Sequence, residues 1–376
     1  MNNNWQSIKL DKCVFIDKYS LSEKTSIEKS FYYIDLSAVS PNCINIPKEK
    51  INFGSSPSRA RRIIHNGDIL FATVRPYLMN YALINFDASE YIASTGFAVL
   101  SAKEGFDIKY IYQYLFSNFL QKQINNLLLG SNYPALNNKD VKNLTIFIPK
   151  TFSEQHRIVA VLETWDKAIS LTKRLIDQKE IQKKHLIFSF VLKAQNTREY
   201  IVKDVFNLTR GRVISESYIK ENTGIYPVYS SQTTNDGILG YISSYDFNGE
   251  YLTWTTDGAN AGKVFYRNGK FNCTNVCGLA IPKIAIDLKY VSAYLNLITK
   301  RYVSYVGNPK LMNNVFGTMV FKVPNYTYQK NISAVLSAAD KEISLLKEKL
   351  TKLQQQKKGL MQILLTGKVR LNNKNK

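Results

Sequence analysis

The chain has 376 residues, of which 45% are apolar, so it is too long for one ordinary core and too apolar for wholesale disorder. Its 50 lysines and arginines against 29 acidic residues give a formal charge of +21, which makes a polyanion the first partner to consider. The polar start, the scattered cysteines and the lack of a run of about 18 apolar residues predict a cytoplasmic protein with reduced thiols and no membrane span.

Residues 1–150 are predicted to form a first mixed α/β domain with short β-rich runs, such as residues 68–74. Within it, a polar loop after Gly54 and Pro57 is predicted to present several guanidinium groups, and a second exposed segment follows a strand end. Arginine can bridge phosphates or bind a guanine edge bidentately. The candidate DNA contacts of this domain are Arg59, Arg61, Arg62, Arg75 and Tyr77.

Residues 151–197 and 326–376 are each predicted to contain a long helix, because both are rich in Leu, Ile, Lys, Glu and Gln. Apolar residues in the second helix recur in steps of three and four, which is typical of a coiled-coil seam. The first helix follows the same register, but Lys179 and Lys183 weaken its middle. The alternative is that each helix packs on its own domain. The predicted seam residues are Ile169, Ile176, Leu186, Ile343, Leu346, Leu350, Leu353 and Leu360.

Residues 198–325 are predicted to form a second mixed α/β domain, with strand-like runs such as residues 251–256. Its polar loops contain amides that can pair with adenine and a carboxylate that can accept from cytosine. For any single loop residue in either domain, a turn-capping or solvated role is the alternative to base contact. The candidate DNA contacts here are Ser231, Gln232, Thr233, Asp257, Asn260, Lys263 and Lys310.

The chain also repeats itself. Residues 155–171 and 329–345 are identical at ten of seventeen positions at an offset of 174, and Pro149 matches Pro324 at an offset of 175. Two related domains on a helical spacer predict a pseudo-twofold molecule that contacts two separated DNA half-sites, as dimeric DNA readers do. Because the two domains differ in sequence, the half-sites should differ as well.

Motifs for catalysis are weak. Residues 258–263 are similar to a phosphate-binding loop but are one residue too short, and Val264 stands where Ser or Thr should hold magnesium. Asn308-Pro-Lys310 stops short of an amino-methyltransferase box, and Cys273 and Cys277 have no further zinc ligands at a recognisable spacing. We therefore predict no catalytic residues, no metal and no cofactor in this chain. The alternatives are a solitary nuclease or DNA methyltransferase, and a coiled-coil scaffold that does not read DNA.

Several segments resemble the specificity subunits of type I restriction-modification systems. Residues 356–370 are similar to the C-terminal signature of that family, and Pro149 with residues 153–158 resembles the start of its central repeat. Residues 58–63, 67–70 and 73–76 together resemble one class of target-recognition domain, and residues 257–262 another. One departure is that Tyr328-Gln329 replaces Glu154-Gln155 in the second copy of the repeat, which puts a local contact of that carboxylate in doubt.

The resemblance implies an α+β fold in which two target-recognition domains are separated by two long helices that pair as an antiparallel coiled coil. Each domain would read half of a split, asymmetric sequence in double-stranded DNA. The helices would set the spacer and dock two methyltransferase subunits, which restriction subunits then join. S-adenosylmethionine, ATP and Mg²⁺ would belong to those partners. An orphan subunit that exchanges recognition domains with a neighbouring system would have the same features.

Overall fold

A computed structural model describes residues 4–128 and 134–371 of the chain. The chain divides into two compact units, one formed by residues 1–172 with 349–376 and the other by residues 173–348. Both divisions fall inside long helices, so each unit includes part of both helices. Parts of the predicted first domain (residues 1–3 and 129–133) and of the predicted C-terminal tail (372–376) lie outside the described residues.

The first unit contains short strands followed by helices. Its strands are Trp5–Lys9 (β1), Val14–Ile16 (β2), Ser30–Ile34 (β3), Val39–Ser40 (β4), Cys43–Ile44 (β5), Lys50–Asn52 (β6), Ala60–Ile63 (β7), Ile69–Ala72 (β8), Tyr81–Leu83 (β9), Tyr91–Ser94 (β10), Phe97–Ala102 (β11) and Thr145–Pro149 (β12). Its helices are Leu10–Cys13 (α1), Ile108–Leu115 (α2), Asn118–Leu127 (α3), Asn138–Asn143 (α4) and the start of Phe152–Ile187 (α5).

Two four-stranded sheets form the body of the first unit, in the orders β6-β3-β10-β7 and β2-β11-β8-β9. Strands β8 and β11 are nearly continuous apolar runs, and their side chains are buried in the main core with those of α2. Such runs are typical of strands covered on both faces. The expected β-structure within residues 68–74 is therefore confirmed.

The second unit also contains both strands and helices, which are interspersed along the chain. Its strands are Arg198–Ile201 (β13), Phe206–Arg210 (β14), Thr223–Tyr229 (β15), Ile238–Ile242 (β16), Phe247–Thr255 (β17), Val264–Cys273 (β18), Cys277–Pro282 (β19) and Val320–Val323 (β20). Its helices are Val202–Val205 (α6), Glu216–Glu221 (α7), Leu288–Ile298 (α8), Asn313–Thr318 (α9) and most of Tyr326–Leu364 (α10).

A six-stranded sheet of order β14-β19-β17-β18-β15-β16 forms the body of the second unit. Trp254 is fully buried in it and stacks on Phe316 at a centroid distance of 3.9 Å, with its indole N–H donating to the Leu311 carbonyl. A side chain at Gly278 would collide with that indole, because its Cβ would lie 2.2 Å from the ring. The glycine thus permits the close packing of Trp254 against β19.

The sequence repeat has a structural counterpart in each unit. Gln155, near the start of α5, accepts a hydrogen bond from the Asp107 N–H and donates one to the Pro149 carbonyl. Gln329, 174 residues later, accepts from the Asp287 N–H and donates to the Pro324 carbonyl. Both glutamines are buried, and both aspartates cap the helix that follows the sheet. A glutamine at the same position of the repeat therefore connects each long helix to the unit in which that helix begins.

The two long helices are confirmed, with 36 residues in α5 and 39 in α10, and residues 188–192 continue α5 as a π-helical turn. Side chains at all the predicted seam positions are buried or half-buried, while most positions between them are exposed. The lysines that interrupt the apolar pattern form ion pairs: Lys179 with Glu342, Lys183 with Asp340, and Lys357 with Asp166.

Candidate nucleic-acid interface

In the arginine cluster of the first unit, Arg61 and Arg62 contact other side chains, whereas Arg59 has no side-chain partner among the described residues. Arg59 lies exposed in the turn before β7, whereas Arg61 and Arg62 belong to β7 itself, so the expectation that all three share a polar loop is wrong. Arg61 lies over the Phe53 ring at 4.6 Å. Arg62 forms an ion pair with the buried carboxylate of Asp17, with 2.8 Å between the guanidinium nitrogen and the carboxylate oxygen.

Hydrogen bonds bring the turn of Arg59 near the segment that contains Arg75 and Tyr77. The Arg59 carbonyl accepts from the Thr95 N–H, and the Gly96 carbonyl accepts from the N–H and the hydroxyl of Thr73. Arg75 is exposed and adopts a left-handed conformation with φ +50°, while Tyr77 is exposed in the short 3-10 turn after it. The candidates free to contact DNA in this unit are therefore Arg59, Arg75 and Tyr77.

The polar loops of the second unit are joined by hydrogen bonds. Asn260 donates from its side chain to the Thr233 hydroxyl at 2.8 Å, and the Thr256 N–H donates to the Ser231 hydroxyl at 3.1 Å. The Gln232 side chain donates to the Ile238 carbonyl. These bonds join the predicted loops into one surface. They also occupy part of the hydrogen-bonding capacity of the very side chains that were predicted to read bases.

Lys263 and Lys310 are more available. Both are exposed, and neither forms an ion pair within the described ranges. Lys310 pairs through its backbone with Asp257 and with Ser304, which brings a further segment to the same surface. Partial desolvation by the surrounding protein, together with the positive charges of Lys183 and Lys300, lowers the pKa of Lys263 below its usual value.

Arg267, which no sequence motif singles out, orders this surface. Its side chain is 3% exposed and stacks on the Tyr229 ring at 3.6 Å. Its guanidinium donates to the Asp236 carboxylate at 2.7 Å and to the Thr253 hydroxyl at 3.1 Å. Arg267 thus anchors residues 230–237 to the sheet. The sequence around Arg267 does not indicate this role, because it shows only a charged residue within a strand.

Residues 258–263, which are similar to a phosphate-binding loop, lead directly into β18. Phosphate-binding loops lead into a helix whose N-terminus faces the anion, so this segment lacks that arrangement. Within residues 4–128 and 134–371, no group of three or more His, Cys, Asp or Glu side chains is placed to hold a metal ion. None of the helices in those ranges is long and apolar enough to cross a membrane.

Comparison with known proteins places the chain in a family. The family model described as "Type I restriction modification DNA specificity domain" matches twice, over residues 3–180 and 196–355. The chain belongs to the specificity subunits of type I restriction-modification systems. The two matches divide this specificity subunit into two related halves, as its internal repeat predicts.

Curated relatives of Mycoplasma pneumoniae agree with this assignment. One type I specificity subunit is 34% identical over 233 residues, which cover 58% of this chain and 83% of the relative. The type I restriction enzyme MpnII specificity subunit is 44% identical over 142 residues, covering 37% of this chain and 43% of the relative. A further specificity subunit is 44% identical over 161 residues, so the chain spans only 44% of that relative's length.

Solved structures share the fold. The S subunit of a type I restriction-modification system from M. genitalium superimposes with a TM-score of 0.63 at 16% identity, covering 97% of each chain. A chain from a structure of type I complex assembly and conformational transition gives a TM-score of 0.65 at 20% identity, covering 98% of this specificity subunit and 99% of that chain. At these identities the likeness concerns the fold alone.

Proposed function

We propose that this chain is the non-catalytic subunit that selects the DNA sequence on which a type I restriction-modification complex acts. Each half would read one part of a bipartite, asymmetric target in double-stranded DNA. Exposed cations such as Arg59 would bind phosphates and fix the register. Loop side chains would discriminate between bases by about 1–3 kcal/mol for each good contact.

The observation that carries this proposal is that one chain matches the DNA specificity family twice and presents a different set of exposed polar residues in each half. Two copies with identical loops would read a symmetric sequence. Arg59, Arg75 and Tyr77 in one unit have no counterpart in the loops of Ser231 and Asn260 in the other. An asymmetric target follows from that difference.

We further infer that α5 and α10 pair as an antiparallel coiled coil that acts as the spacer. The ion pairs support this pairing, because the partner in α10 moves toward its N-terminus as the residue in α5 moves toward its C-terminus, from Lys357 opposite Asp166 to Asp340 opposite Lys183. The exposed faces of these helices would dock two methyltransferase subunits, and restriction subunits would then join.

Methyl transfer from S-adenosylmethionine and ATP- and Mg²⁺-dependent cleavage are assigned in this proposal to the partner subunits. The complex would work in the cytoplasm, where the host DNA lies. The contribution of this chain is differential binding: the same partners act wherever the two recognition units find their half-sites.

The proposal is tested by co-expressing the chain with its cognate methyltransferase subunit and mapping methylated bases across the host genome. We expect methylation confined to one bipartite motif and lost when either half of the chain is deleted. A stable complex whose DNA binding is non-specific and collapses with salt would instead indicate a coiled-coil scaffold. Activity of the purified chain alone would indicate a solitary nuclease or methyltransferase.

A further inference from the structure

Residues 304–310 form a loop that is closed at its base by backbone hydrogen bonds. The Ser304 N–H donates to the Lys310 carbonyl and the Lys310 N–H donates to the Ser304 carbonyl, each at 2.9 Å. Gly307 adopts a left-handed φ of +71°, which the reversal of the chain requires. The next residue, Leu311, donates its N–H to the Thr256 carbonyl. The loop is therefore preordered and attached to the surface that contains Asp257 and Asn260.

The tip of this loop presents apolar side chains to solvent. Val306 is 92% exposed and Tyr305 is 65% exposed. Neither side chain packs against the described hydrophobic cores. Single exposed apolar residues are common on proteins, but two adjacent ones on a preordered loop form a surface suited to contact with a partner.

Unpaired cations surround the base of the loop. Lys263, Lys300, Arg301 and Lys310 are all exposed, and no ion pair joins any of them to a carboxylate in the described part of the chain. Their segments are in contact, because a Cβ at Gly262 would lie 3.2 Å from the Thr299 side chain and 3.1 Å from that of Val303. Desolvation is the main cause of the lowered pKa of Lys263, and the charges of Lys183 and Lys300 add to it.

We propose that the loop of residues 304–310 is a DNA-contacting element of the second unit, in which Tyr305 and Val306 make apolar contacts with bases and the surrounding cations bind the flanking phosphates. Apolar side chains recognise the thymine methyl group or insert between base steps, so they read sequence without hydrogen bonds. The inference rests on the proposed DNA-reading function. Unpaired cations around the apolar tip favour a polyanion over a protein partner.

The test uses the full chain in complex with its methyltransferase subunit, and it measures affinity for a duplex that contains the methylated motif and for one that lacks it. We expect Val306→Ser to weaken binding to the cognate duplex about tenfold, the equivalent of one buried valine, and to leave non-specific binding unchanged. Ile225→Ser is the matched control, because Ile225 is 76% exposed in the same unit and lies outside the loop.

The cations are tested by the salt dependence of the same binding. Lys263→Gln and Lys300→Gln should each reduce the slope of log K against log salt by about 0.9 on both duplexes, because each removes one phosphate contact. Lys322→Gln is the control, since the charge of Lys322 is already paired with Glu199 at 3.3 Å. The salt slope of DNA binding by the Lys322→Gln variant should match that of the wild type.

The outcomes separate the two proposals. If the wild-type complex prefers its motif but the loop variants bind it as the controls do, this loop does not contact DNA and the targeting function stands. If Val306→Ser dissociates the methyltransferase subunit in size-exclusion chromatography while leaving DNA affinity intact, the loop binds protein and the inference is overturned. If the wild-type complex has no sequence preference at all, the targeting function fails and the inference with it.

Discussion

Asp166 and Lys357 form an ion pair of 2.6 Å in the first unit, and the positions 174 residues away from them form the corresponding pair in the second. Asp166 corresponds to Asp340, and Lys183 corresponds to Lys357. Lys183 is indeed paired with Asp340. Each copy of the repeat thus contributes the acid to one pair and the base to the other. This reciprocity supports the proposed antiparallel pairing of the helices more directly than the apolar pattern does.

The two equivalent aspartates should differ in their contribution to stability. Asp166 also accepts a hydrogen bond from Gln113 at 2.7 Å, and its partner Lys357 is largely buried, whereas Asp340 is 59% exposed. We expect Asp166→Ala to lower the free energy of unfolding by about 1–3 kcal/mol and Asp340→Ala by less than about 1 kcal/mol. Urea unfolding of the two variants measures the difference. Equal losses would contradict the account.

The C-terminal segment should stabilise the first unit through one buried carboxylate. Glu154 is nearly inaccessible, accepts two hydrogen bonds from the Arg370 guanidinium at 3.0 and 3.1 Å, and accepts one from the Trp5 indole. Arg370→Ala leaves that charge without its cation, so we expect a loss of about 2–3 kcal/mol in unfolding free energy.

Two variants check the cause of that loss. Lys368→Ala, at a nearby exposed position, should have no measurable effect. Glu154→Gln introduced together with Arg370→Ala should recover part of the stability, because no buried charge remains. Failure of this double variant to recover would show that Arg370 acts by packing. The second copy has Tyr328 at the position of Glu154, and its hydroxyl donates to the Phe190 carbonyl instead.

Arg59 and Arg62 should separate DNA binding from folding. Arg59 is exposed and unpaired in the described part of the chain, so Arg59→Gln should reduce the salt slope of DNA binding by about 0.9 without changing the melting temperature. Arg62 neutralises the buried carboxylate of Asp17, so Arg62→Gln should lower the melting temperature. Calorimetry measures the melting temperature of each variant, and a salt titration measures the salt slope of its DNA binding. A lower melting temperature for Arg59→Gln would refute the distinction.

The cysteines should differ sharply in reactivity. Burial raises the pKa of Cys13 to about 12, and the hydrogen bond with Cys277, together with burial, raises the pKa of Cys273. The thiolate is the reactive form, and Cys43 is the exposed thiol. An aromatic disulfide reagent at pH 8 should therefore modify one thiol quickly in the native protein and four after denaturation. Fast reaction of more than one thiol in the native state would contradict the burial of the others.

Periodicity and repetition in the sequence were enough to predict much of the architecture. The long helices and the prolines that end the preceding strands depend on local patterns, which a linear sequence records directly. The repeat aligns Gln155 with Gln329, and the structure gives both side chains the same contacts. Most candidate loops were located correctly for the same reason, because turn residues have local signatures.

The availability of each loop side chain was decided only by tertiary structure. Arg61 and Arg62 look like Arg59 in the sequence, yet one lies over an aromatic ring and the other is neutralised by Asp17, 45 positions earlier in the chain. Arg267 and the tip of residues 304–310 escaped prediction because burial and exposure depend on which distant segments pack nearby. Secondary-structure propensity depends on residues that are close in the sequence. The partner of a charged side chain depends on which distant segments the fold packs beside it.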